Sequence, residues 1–334
     1  MSEYYQDKIE ILRDIFNTNN ITLKPDLLII EDKNYPILDD VIILMDESKY
    51  TDYVRSSLNI NTNTFIKDDT SFSKDIQESF GFEWNSFDQM LDEYKLEFKQ
   101  YFDLVDLTSL KDKRVCDLGC GNGRWSYLLK DSCRELILVD FSDAIFTARK
   151  NLQESDNCLF FKGDLKALPF KDDFVDFLLC LGVLHHLPTP CLDELKGLKR
   201  YAPQLLIYLY YNLENRPFYF RLLLSLVTII RRQLSKIHSA RLKLFLSTFG
   251  ALVLYLPFIL LGYLLKLLNL VRHVPLYEFY QGKSIKRIEQ DVYDRFFTSI
   301  EQRVTVKDIL ELKSTFNDIV ISENLPYWHF LCNR

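Results

Sequence analysis

One short stretch of the chain combines an acidic residue with three closely spaced glycines. Asp117 ends an apolar run, and Gly119, Gly121 and Gly123 follow it at every second position. The residues from Arg124 onward have a helical pattern. Glycines let a ligand approach the backbone closely, and amide groups at the start of a helix can face the ligand's polar end. The order of strand, glycine turn and helix therefore predicts a nucleotide-type binding site.

The spacing of the glycines distinguishes between classes of ligand. A dinucleotide-binding turn reads G-x-G-x-x-G, but Arg124 stands where the third glycine would be. An acid at the strand end suits a positively charged ligand better than a pyrophosphate. The stretch resembles motif I of the class I S-adenosylmethionine (SAM)-dependent methyltransferases, whose cofactor carries an amino-acid head and a sulfonium. The resemblance implies that Asp117, Gly119, Gly121 and Gly123 bind SAM. The alternative is a glycine turn without a ligand.

Asp140 ends the next apolar run, about 20 residues past the glycine loop. An acid at this place can accept hydrogen bonds from both hydroxyl groups of a ribose. The family resemblance implies the same role for Asp140 and adds Phe141 to the cofactor site. The alternative for Asp140 is to cap a helix over residues 143–154, a role that Asp143 could take instead.

Two later segments also resemble the family. Residues 163–170 are similar to its Gly-Asp-x-x-x-Leu-Pro-Phe segment, which implies that Asp164 meets the adenine amino group and Leu165 covers the ring. Residues 173–187 are similar to motif IV with its paired histidines, which implies that Leu181 lines the methionine part of SAM.

The paired histidines are the candidates for acid–base chemistry. His185 and His186 follow the fourth predicted strand, whose carboxyl end faces the ligand crevice of an open α/β sheet. A histidine there could take a proton from an oxygen or nitrogen nucleophile. The alternative is that the pair packs or forms hydrogen bonds without doing chemistry. Methyl transfer needs little more than alignment, because the sulfonium already makes the methyl group electrophilic.

The alternation of strand and helix patterns predicts the fold. We expect a Rossmann-like class I methyltransferase fold of the α/β class, with a seven-stranded, mostly parallel sheet that ends in an antiparallel hairpin. The predicted strands are 114–118, 135–140, 158–162, 174–181, 204–211, 318–323 and 327–332. The predicted helices are 124–130, 143–154, 191–200 and 306–316, the last capped by Thr305.

The 334 residues are 48% hydrophobic, which is enough to bury a sizeable core. We divide the chain into an N-terminal module (1–75), the methyltransferase core (76–212 and 293–334) and a helical insertion (213–292). The seven cysteines lack any Cys-x-x-Cys pair and indicate neither a metal site nor a disulfide framework. Because the N-terminus is polar and acidic, unlike a secretory signal, we expect a cytoplasmic protein.

The N-terminal module has a family resemblance of its own. Residues 35–44 resemble the Tyr-Pro-Ile-x-Asp-Gly-Ile-Pro pattern of small zinc-ribbon modules that precede or partner methyltransferases. The cysteines of those modules are missing here, so the kinship implies a metal-free remnant. Two strands are predicted, at 27–30 and 41–45, and residues 59–70 are predicted to be a linker.

The insertion is basic and apolar, although the whole chain has a net charge of −6. Residues 215–273 contain nine lysines or arginines and no acidic residue, which indicates an anionic partner. Residues 244–265 carry no charge, but Pro257 interrupts them and strands before and after the insertion exclude a single membrane span. Two interpretations remain: helices that lie on the inner face of the membrane, or a soluble lid or dimerisation element.

The segment after the insertion resembles the part of the family that leads back to the core beside the acceptor pocket. The resemblance makes Tyr293, Asp294, Arg295 and Arg303 candidates for acceptor binding, and the alternative is a surface ion-pair network.

The sequence therefore predicts a SAM-dependent methyltransferase that acts on an oxygen or nitrogen of a glycan- or lipid-linked acceptor at the cytoplasmic membrane surface. The alternatives are a soluble sugar or small-molecule methyltransferase with a helical lid, and a non-catalytic SAM-binding scaffold. We do not expect nucleic acid as a partner, because leucines rather than stacking aromatics separate the basic residues of the insertion.

Overall fold

The computed structural model describes residues 3–60 and 72–334, so most of the predicted linker lies outside the described residues. Within these ranges the strands are β1 (Ile21–Lys24), β2 (Leu27–Ile30), β3 (Lys33–Leu38), β4 (Val41–Ile43), β5 (Arg114–Leu118), β6 (Glu135–Asp140), β7 (Cys158–Lys162), β8 (Phe177–Leu181), β9 (Gln204–Tyr208), β10 (Asp318–Ile321) and β11 (Phe330–Asn333). The α-helices are α1 (Ile9–Phe16), α2 (Asp52–Ser57), α3 (Lys74–Ser86), α4 (Glu93–Tyr101), α5 (Arg124–Leu129), α6 (Ala144–Asn151), α7 (Cys191–Leu198), α8 (Phe218–Leu234), α9 (Ala240–Gly250), α10 (Leu256–Lys266), α11 (Tyr277–Tyr280), α12 (Ile285–Phe297) and α13 (Val306–Glu311).

All strands belong to one sheet, in the order β1-β2-β3-β4-β7-β6-β5-β8-β9-β11-β10. The strands from β4 to β9 in this order pair in parallel, and β11 is antiparallel to both β9 and β10. The seven strands predicted for the core are all present, and the class I methyltransferase fold is confirmed.

The central strands are apolar on both faces because helices cover both sides of the sheet. In β5, Cys116 and Leu118 pack into one core while Val115 packs into the other. β5, β6 and β7 have the predicted bounds, but β8 begins at residue 177 rather than 174 and β9 ends at 208 rather than 211. The shorter β9 leaves Tyr210 and Tyr211 free to turn away from the sheet, and Tyr211 forms an isolated parallel bridge with Val304.

The strands of the N-terminal segment continue the sheet of the core. β1 to β4 form an antiparallel meander whose last strand pairs in parallel with β7, with Ile42 opposite Phe161. The buried Tyr5 hydroxyl donates to the carbonyls of Asp40 (2.7 Å) and Phe160 (3.2 Å), which ties the first residues to this edge. The meander therefore extends the central sheet, and a domain boundary at residue 75 remains a prediction.

The insertion is helical, as expected. α9, a π-helical turn (residues 251–255) and α10 form one continuous helix from residue 240 to 266. Pro257, predicted to interrupt the uncharged segment, lies inside this helix just after the π-helical turn. The Leu256 amide donates to the Ala251 carbonyl five residues back, and this wider turn accommodates the missing proline N–H.

Among the described residues, the helix from residue 240 to 266 is long and apolar enough to cross a bilayer, on length and composition alone. A single crossing would put β9 and β11 on opposite sides of the membrane, yet these strands pair with each other, with Ile207 opposite Phe330. α12 packs against α3, α8 and α9 and so connects the insertion to the core.

Candidate functional site

A crevice lies at the carboxyl ends of β5, β6, β7 and β8, where open α/β sheets bind their ligands. α3 and α12 close it from the other side. The side chains and backbone that form its walls include Phe80, Trp84, Leu118, Gly119, Arg124, Asp140, Phe141, Asp164, Leu165, Leu181, Gly182, His186, Tyr208, Tyr210, Phe279, Arg287, Asp291, Asp294 and Arg295.

The glycine loop has the backbone conformation that its residues predict. Gly119, Gly121 and Gly123 have φ angles of 80°, 55° and 77°, a region that side chains disfavour. A Cβ atom on Gly119 would lie 2.4 Å from a Val183 methyl group, and one on Gly121 would lie 2.9 Å from the Trp84 indole. The loop thus fits closely between its neighbours, and only Gly119 of the three glycines reaches the crevice wall.

The loop amides are used within the protein, contrary to our expectation that they face a ligand. The amides of Gly119 and Cys120 donate to the Val139 carbonyl, and the amide of Gly121 donates to Asp140. The amide of Arg124 donates to the Asn122 side chain. The loop therefore shapes the crevice by holding β5 against β6 and leaves ligand contacts to side chains.

Asp140 lies at the centre of this arrangement. Its Oδ2 accepts the Gly121 amide at 2.9 Å, and its Oδ1 accepts both the amide (2.8 Å) and the hydroxyl (2.7 Å) of Ser142. A carboxylate oxygen has two acceptor positions, so Oδ2 retains one toward the crevice. Asp140 does not cap α6, and neither does the Asp143 side chain, which binds Thr51 and Lys162 instead.

Asp117 lies behind the wall of the crevice rather than in it. Its carboxylate is 1% exposed and accepts a hydrogen bond of 2.7 Å from the Ser126 hydroxyl. Burial raises its pKa to about 7, since the charged form loses solvation. The predicted direct contact between Asp117 and a ligand is not supported by this position, and its role here is to join β5 to α5.

The predicted adenine-binding residues lie together at one end of the crevice. Asp164, Leu165 and Phe141 all line it. Asp164 is bound by Lys49 at 3.1 Å through one oxygen and by the Lys166 amide at 3.1 Å through the other. Lys49 belongs to the N-terminal segment, so that segment helps to position the acid.

The aromatic residues ahead of the glycine loop divide between two roles. Phe80 and Trp84 lie one turn apart on α3 and line the crevice. Phe82 stacks on Tyr293, and Phe87, just after α3, packs edge-on against the same ring. The four-residue spacing puts Phe80 and Trp84 on the helix face that meets the crevice.

The two histidines have different surroundings. His185 is fully buried and stacks on Tyr210 at 3.9 Å, and its Nε2 has no hydrogen-bond partner among the described residues. Burial, followed by the charges of His186 and Arg303, lowers the pKa of His185 well below its usual value. His185 does not line the crevice, so the prediction that it does chemistry is not supported by its position.

His186 lines the crevice and is held in a defined orientation. Its Nδ1 lies 2.8 Å from the Ile300 carbonyl, which can only accept a hydrogen bond, so Nδ1 carries the proton. In the neutral ring Nε2 is the acceptor, and it lies 3.6 Å from Oδ1 of Asp294. The Tyr210 hydroxyl donates to the other Asp294 oxygen at 2.6 Å and fixes this carboxylate.

The four predicted acceptor residues do not all reach the crevice. Asp294 and Arg295, on α12, line it. Tyr293 is 1% exposed and faces the opposite side of α12, where it packs against α3. Arg303 binds Glu301 at 2.8 Å and the Tyr211 carbonyl at 2.9 Å, outside the cofactor crevice.

Several crevice residues were missed by the sequence analysis. Arg124 begins α5, and its guanidinium lies near the rings of Trp84, Tyr94 and Trp125. Tyr208 and Tyr210 come from the end of β9 and the residues just after it, and their alternation with leucine would have indicated a common face. Asp291 is one turn before Arg295 on α12, and that spacing was also readable.

Comparison with known proteins gives the same assignment for the core. Residues 115–201 match a family model described as a methyltransferase domain. The chain is 34% identical over 98 residues to a tRNA U34 carboxymethyltransferase of Nautilia profundicola (27% of this chain, 31% of that protein) and 30% identical over 89 residues to the protein of that name from Sulfurimonas denitrificans (25% and 29%). These matches span less than a third of the relatives' length. The solved structure of the PH0226 protein from Pyrococcus horikoshii is similar over 40% of this chain and 66% of that chain, at 27% identity and a TM-score of 0.33.

The crevice residues fit SAM in chemical terms. Asp140 has an acceptor position for hydroxyl groups, Asp164 offers a carboxylate for an amine, and Phe141 and Leu165 offer apolar surface for a ring.

A metal site would need a cluster of ligating side chains, and none occurs among residues 3–60 and 72–334. Residues 115–201, with this crevice at their strand ends, are a class I SAM-dependent methyltransferase domain.

Proposed function

We propose that the whole protein transfers the methyl group of SAM to an oxygen or nitrogen nucleophile of a lipid- or glycan-linked acceptor at the cytoplasmic surface of the membrane. When bound, SAM would supply the electrophilic methyl group. Asp140 would hold its ribose, Asp164 and Leu165 its adenine, and the Leu181–Gly182 edge its amino-acid part. Phe80 and Trp84 would exclude water from the crevice.

The observation that carries the enzymatic part of the proposal is the geometry of His186. Because Ile300 holds the proton on Nδ1, the Nε2 lone pair can take a proton from the acceptor. The resulting imidazolium would be stabilised by the Asp294 carboxylate at 3.6 Å, which Tyr210 fixes in place. His186 would hold this proton while the nucleophile takes the methyl group that the bound cofactor would supply.

The surface of the insertion supports the membrane part. Most of the large apolar side chains that are exposed among the described residues belong to residues 218–270, with Leu264 and Leu267 exposed by 70% and 91%. Six of the basic residues of the insertion are exposed as well: Arg221, Arg232, Lys236, Arg241, Lys266 and Arg272. Apolar surface bordered by cations and free of acids suits an anionic lipid surface. A soluble lid would bury this surface against the core.

A tRNA acceptor is the second candidate, because the relatives named above are tRNA U34 carboxymethyltransferases. The matches cover only the methyltransferase domain. Among the exposed apolar side chains of residues 218–270, aliphatic ones outnumber the four aromatic ones, Phe218, Phe245, Phe249 and Tyr263, on which nucleobases could stack. We therefore rank the lipid-type acceptor first.

The test is methyl transfer from methyl-labelled SAM to three fractions of the source cells: total lipid, tRNA and water-soluble metabolites. Label in the lipid fraction is the expected result. Label in tRNA or in the soluble fraction alone would contradict the acceptor class. No label in any fraction, with SAM bound, would contradict the enzymatic proposal and favour a SAM-binding scaffold.

A further inference from the structure

A second cavity lies inside the insertion, beside the cofactor crevice. It is enclosed by α8, the start of α10, residues 274–280 and residues 325–327. Most of its wall is apolar, including Phe220, Leu224, Val227, Phe258, Leu276 and Phe296. We call this cavity the acceptor chamber.

The acceptor chamber adjoins the cofactor crevice. Tyr208, Tyr210, Phe279 and Arg295 belong to the walls of both cavities. These four residues stand between the two cavities, and we call them the throat; Asp294 and His186 lie on its crevice side. A ligand that passes between these side chains would present one end to the place where the methyl group would be transferred.

The chamber also reaches the apolar surface of the insertion. Leu223 and Leu254 line it, and they are 39% and 47% exposed on that surface. The chamber thus lies between the face proposed to lie on the membrane and the cofactor crevice.

Four arginines line the chamber, and three of them already have partners. Arg216 binds Glu278 at 2.7 Å, Arg231 binds the Thr298 carbonyl at 3.1 Å, and Arg303 binds Glu301 at 2.8 Å. Arg295 differs.

Among residues 3–60 and 72–334, no carboxylate lies within salt-bridge distance of Arg295. Its neighbours are Tyr210, Tyr255 and Tyr280. The nearby Asp291 is engaged by Arg287 and by the Tyr280 hydroxyl. Among the described residues Arg295 forms no salt bridge and feels only the charge of Asp291, which Arg287 shares. Such a partly buried cation is suited to an anionic ligand group.

We propose that the acceptor chamber holds the apolar chain of an anionic amphiphile, that Arg295 binds its phosphate or carboxylate, and that this amphiphile is the methyl acceptor. This inference rests on the proposed function and specifies its substrate class. The apolar wall binds the apolar tail of the amphiphile, and Arg295 fixes how deeply the amphiphile enters the chamber. The throat directs the nucleophile toward His186.

The test is isothermal titration of the full chain, saturated with S-adenosylhomocysteine (SAH, the demethylated cofactor), with decyl phosphate, decanoate and decanol below their critical micelle concentrations. We expect saturable binding of at least one of the two anions, and the stronger anion identifies the head group. Val227→Trp, which fills the chamber, should weaken binding about tenfold or more. Arg295→Met should weaken the anions about tenfold and leave decanol unchanged.

Leu96→Trp is the matched control, because Leu96 is 61% exposed on α4, away from both cavities. Thermal unfolding reports that each variant is folded, and Leu224→Trp replaces Val227→Trp if the latter does not fold. If no amphiphile binds saturably, or if filling the chamber has no effect, the inference is overturned. Failure of the unmodified chain to bind SAH would instead overturn the proposed function.

Discussion

At the scale of single residues, two adjacent histidines have different surroundings, and only His186 lines the crevice. The imidazole of His186 is oriented by the Ile300 carbonyl and faces Asp294, whereas that of His185 is enclosed between Tyr210 and the core. The Tyr210 amide donates to Nδ1 of His185 at 3.4 Å, so this ring contributes a backbone hydrogen bond to the fold.

Substitution of the two histidines should therefore have different effects. We expect His186→Gln to lower kcat by about 10²–10⁴, the usual contribution of a general base, with little change in melting temperature. His185→Phe, which loses the acceptor for the Tyr210 amide, should lower the melting temperature and retain turnover. Steady-state rates on the labelled fraction and thermal unfolding measure the two effects. Equal losses of kcat in both variants would contradict the assignment.

The buried Asp117 predicts a dependence of stability on pH. Its pKa is about 7 in the folded chain, against about 3.9 for an unfolded aspartate. Between these values the folded chain keeps a proton that the unfolded chain releases, so the free energy of unfolding falls as the pH rises from about 4 to 7.

Asp117→Asn removes this titration and can still accept the Ser126 hydroxyl. We expect the variant to be more stable than the unmodified chain at pH 8, on the order of 1–4 kcal/mol, and to lose this advantage near pH 4.5. Thermal and urea unfolding at both pH values measure the difference. A variant with the same pH profile as the unmodified chain would show that Asp117 does not titrate in this window.

At the scale of elements, two glycines allow the helices of the insertion to pack closely on their neighbours. A Cβ atom on Gly262 of α10 would lie 2.0 Å from the ring of Tyr277, and one on Gly250 of α9 would lie 2.9 Å from Val292 of α12. Small residues at these points let the helices approach one another.

Gly262→Ala should thus destabilise the protein by about 1–3 kcal/mol despite the better helix propensity of alanine. Gly197→Ala is the matched control, since Gly197 is also helical and a Cβ atom there meets nothing within 4 Å. The control should be neutral or slightly stabilising in the same denaturation experiment. A stable Gly262→Ala variant would show that α10 does not pack on Tyr277 in this way.

The exposed face of the insertion predicts membrane association. The full chain should float with vesicles that contain phosphatidylglycerol, less with phosphatidylcholine alone, and less as the salt concentration rises. The double variant Leu264→Glu, Leu267→Glu should bind at least about tenfold less, because two exposed leucines no longer enter the bilayer.

Leu96→Glu, with its exposed leucine outside the insertion, serves as the control for the vesicle experiment. If the double variant and the control float equally well, or if the unmodified chain stays with the soluble fraction at low salt, the membrane proposal is wrong.

The elements also show what could be predicted from sequence. The buried parallel strands β5 to β7 were predicted with their bounds, because uninterrupted apolar runs between turn residues leave few alternatives. β3 was missed, since Pro36 and the polar residues around it are typical of a loop. Pro36 is tolerated there opposite Leu27 in an antiparallel meander, a context that local pattern does not reveal.

The site was predictable where its residues follow strands, and only in part where they come from helices packed across the crevice. Asp140, Asp164 and Leu181 are placed by the strand order alone. Trp84 and Asp291 reach the crevice only because α3 and α12 dock over it, and Tyr293 turns away for the same reason. Their positions depend on tertiary packing.

At the scale of the whole molecule, one sheet connects every functional part. The N-terminal meander brings Lys49 to Asp164, the central strands carry Asp140 and His186 to one edge, and the pairing of β9 with β11 keeps both ends of the insertion on one side. This arrangement places the cofactor crevice and the apolar chamber side by side, with the throat residues between them.

The central claim is that the crevice around Asp140 binds the SAM nucleoside, and titration calorimetry with SAH tests it most directly. We expect one saturable site on the unmodified chain, an affinity at least about tenfold lower for Asp140→Ala, and no change for Asp193→Ala, an exposed acid on α7. Absence of SAH binding to the unmodified chain, or equal affinities for the unmodified chain and Asp140→Ala, would contradict the claim.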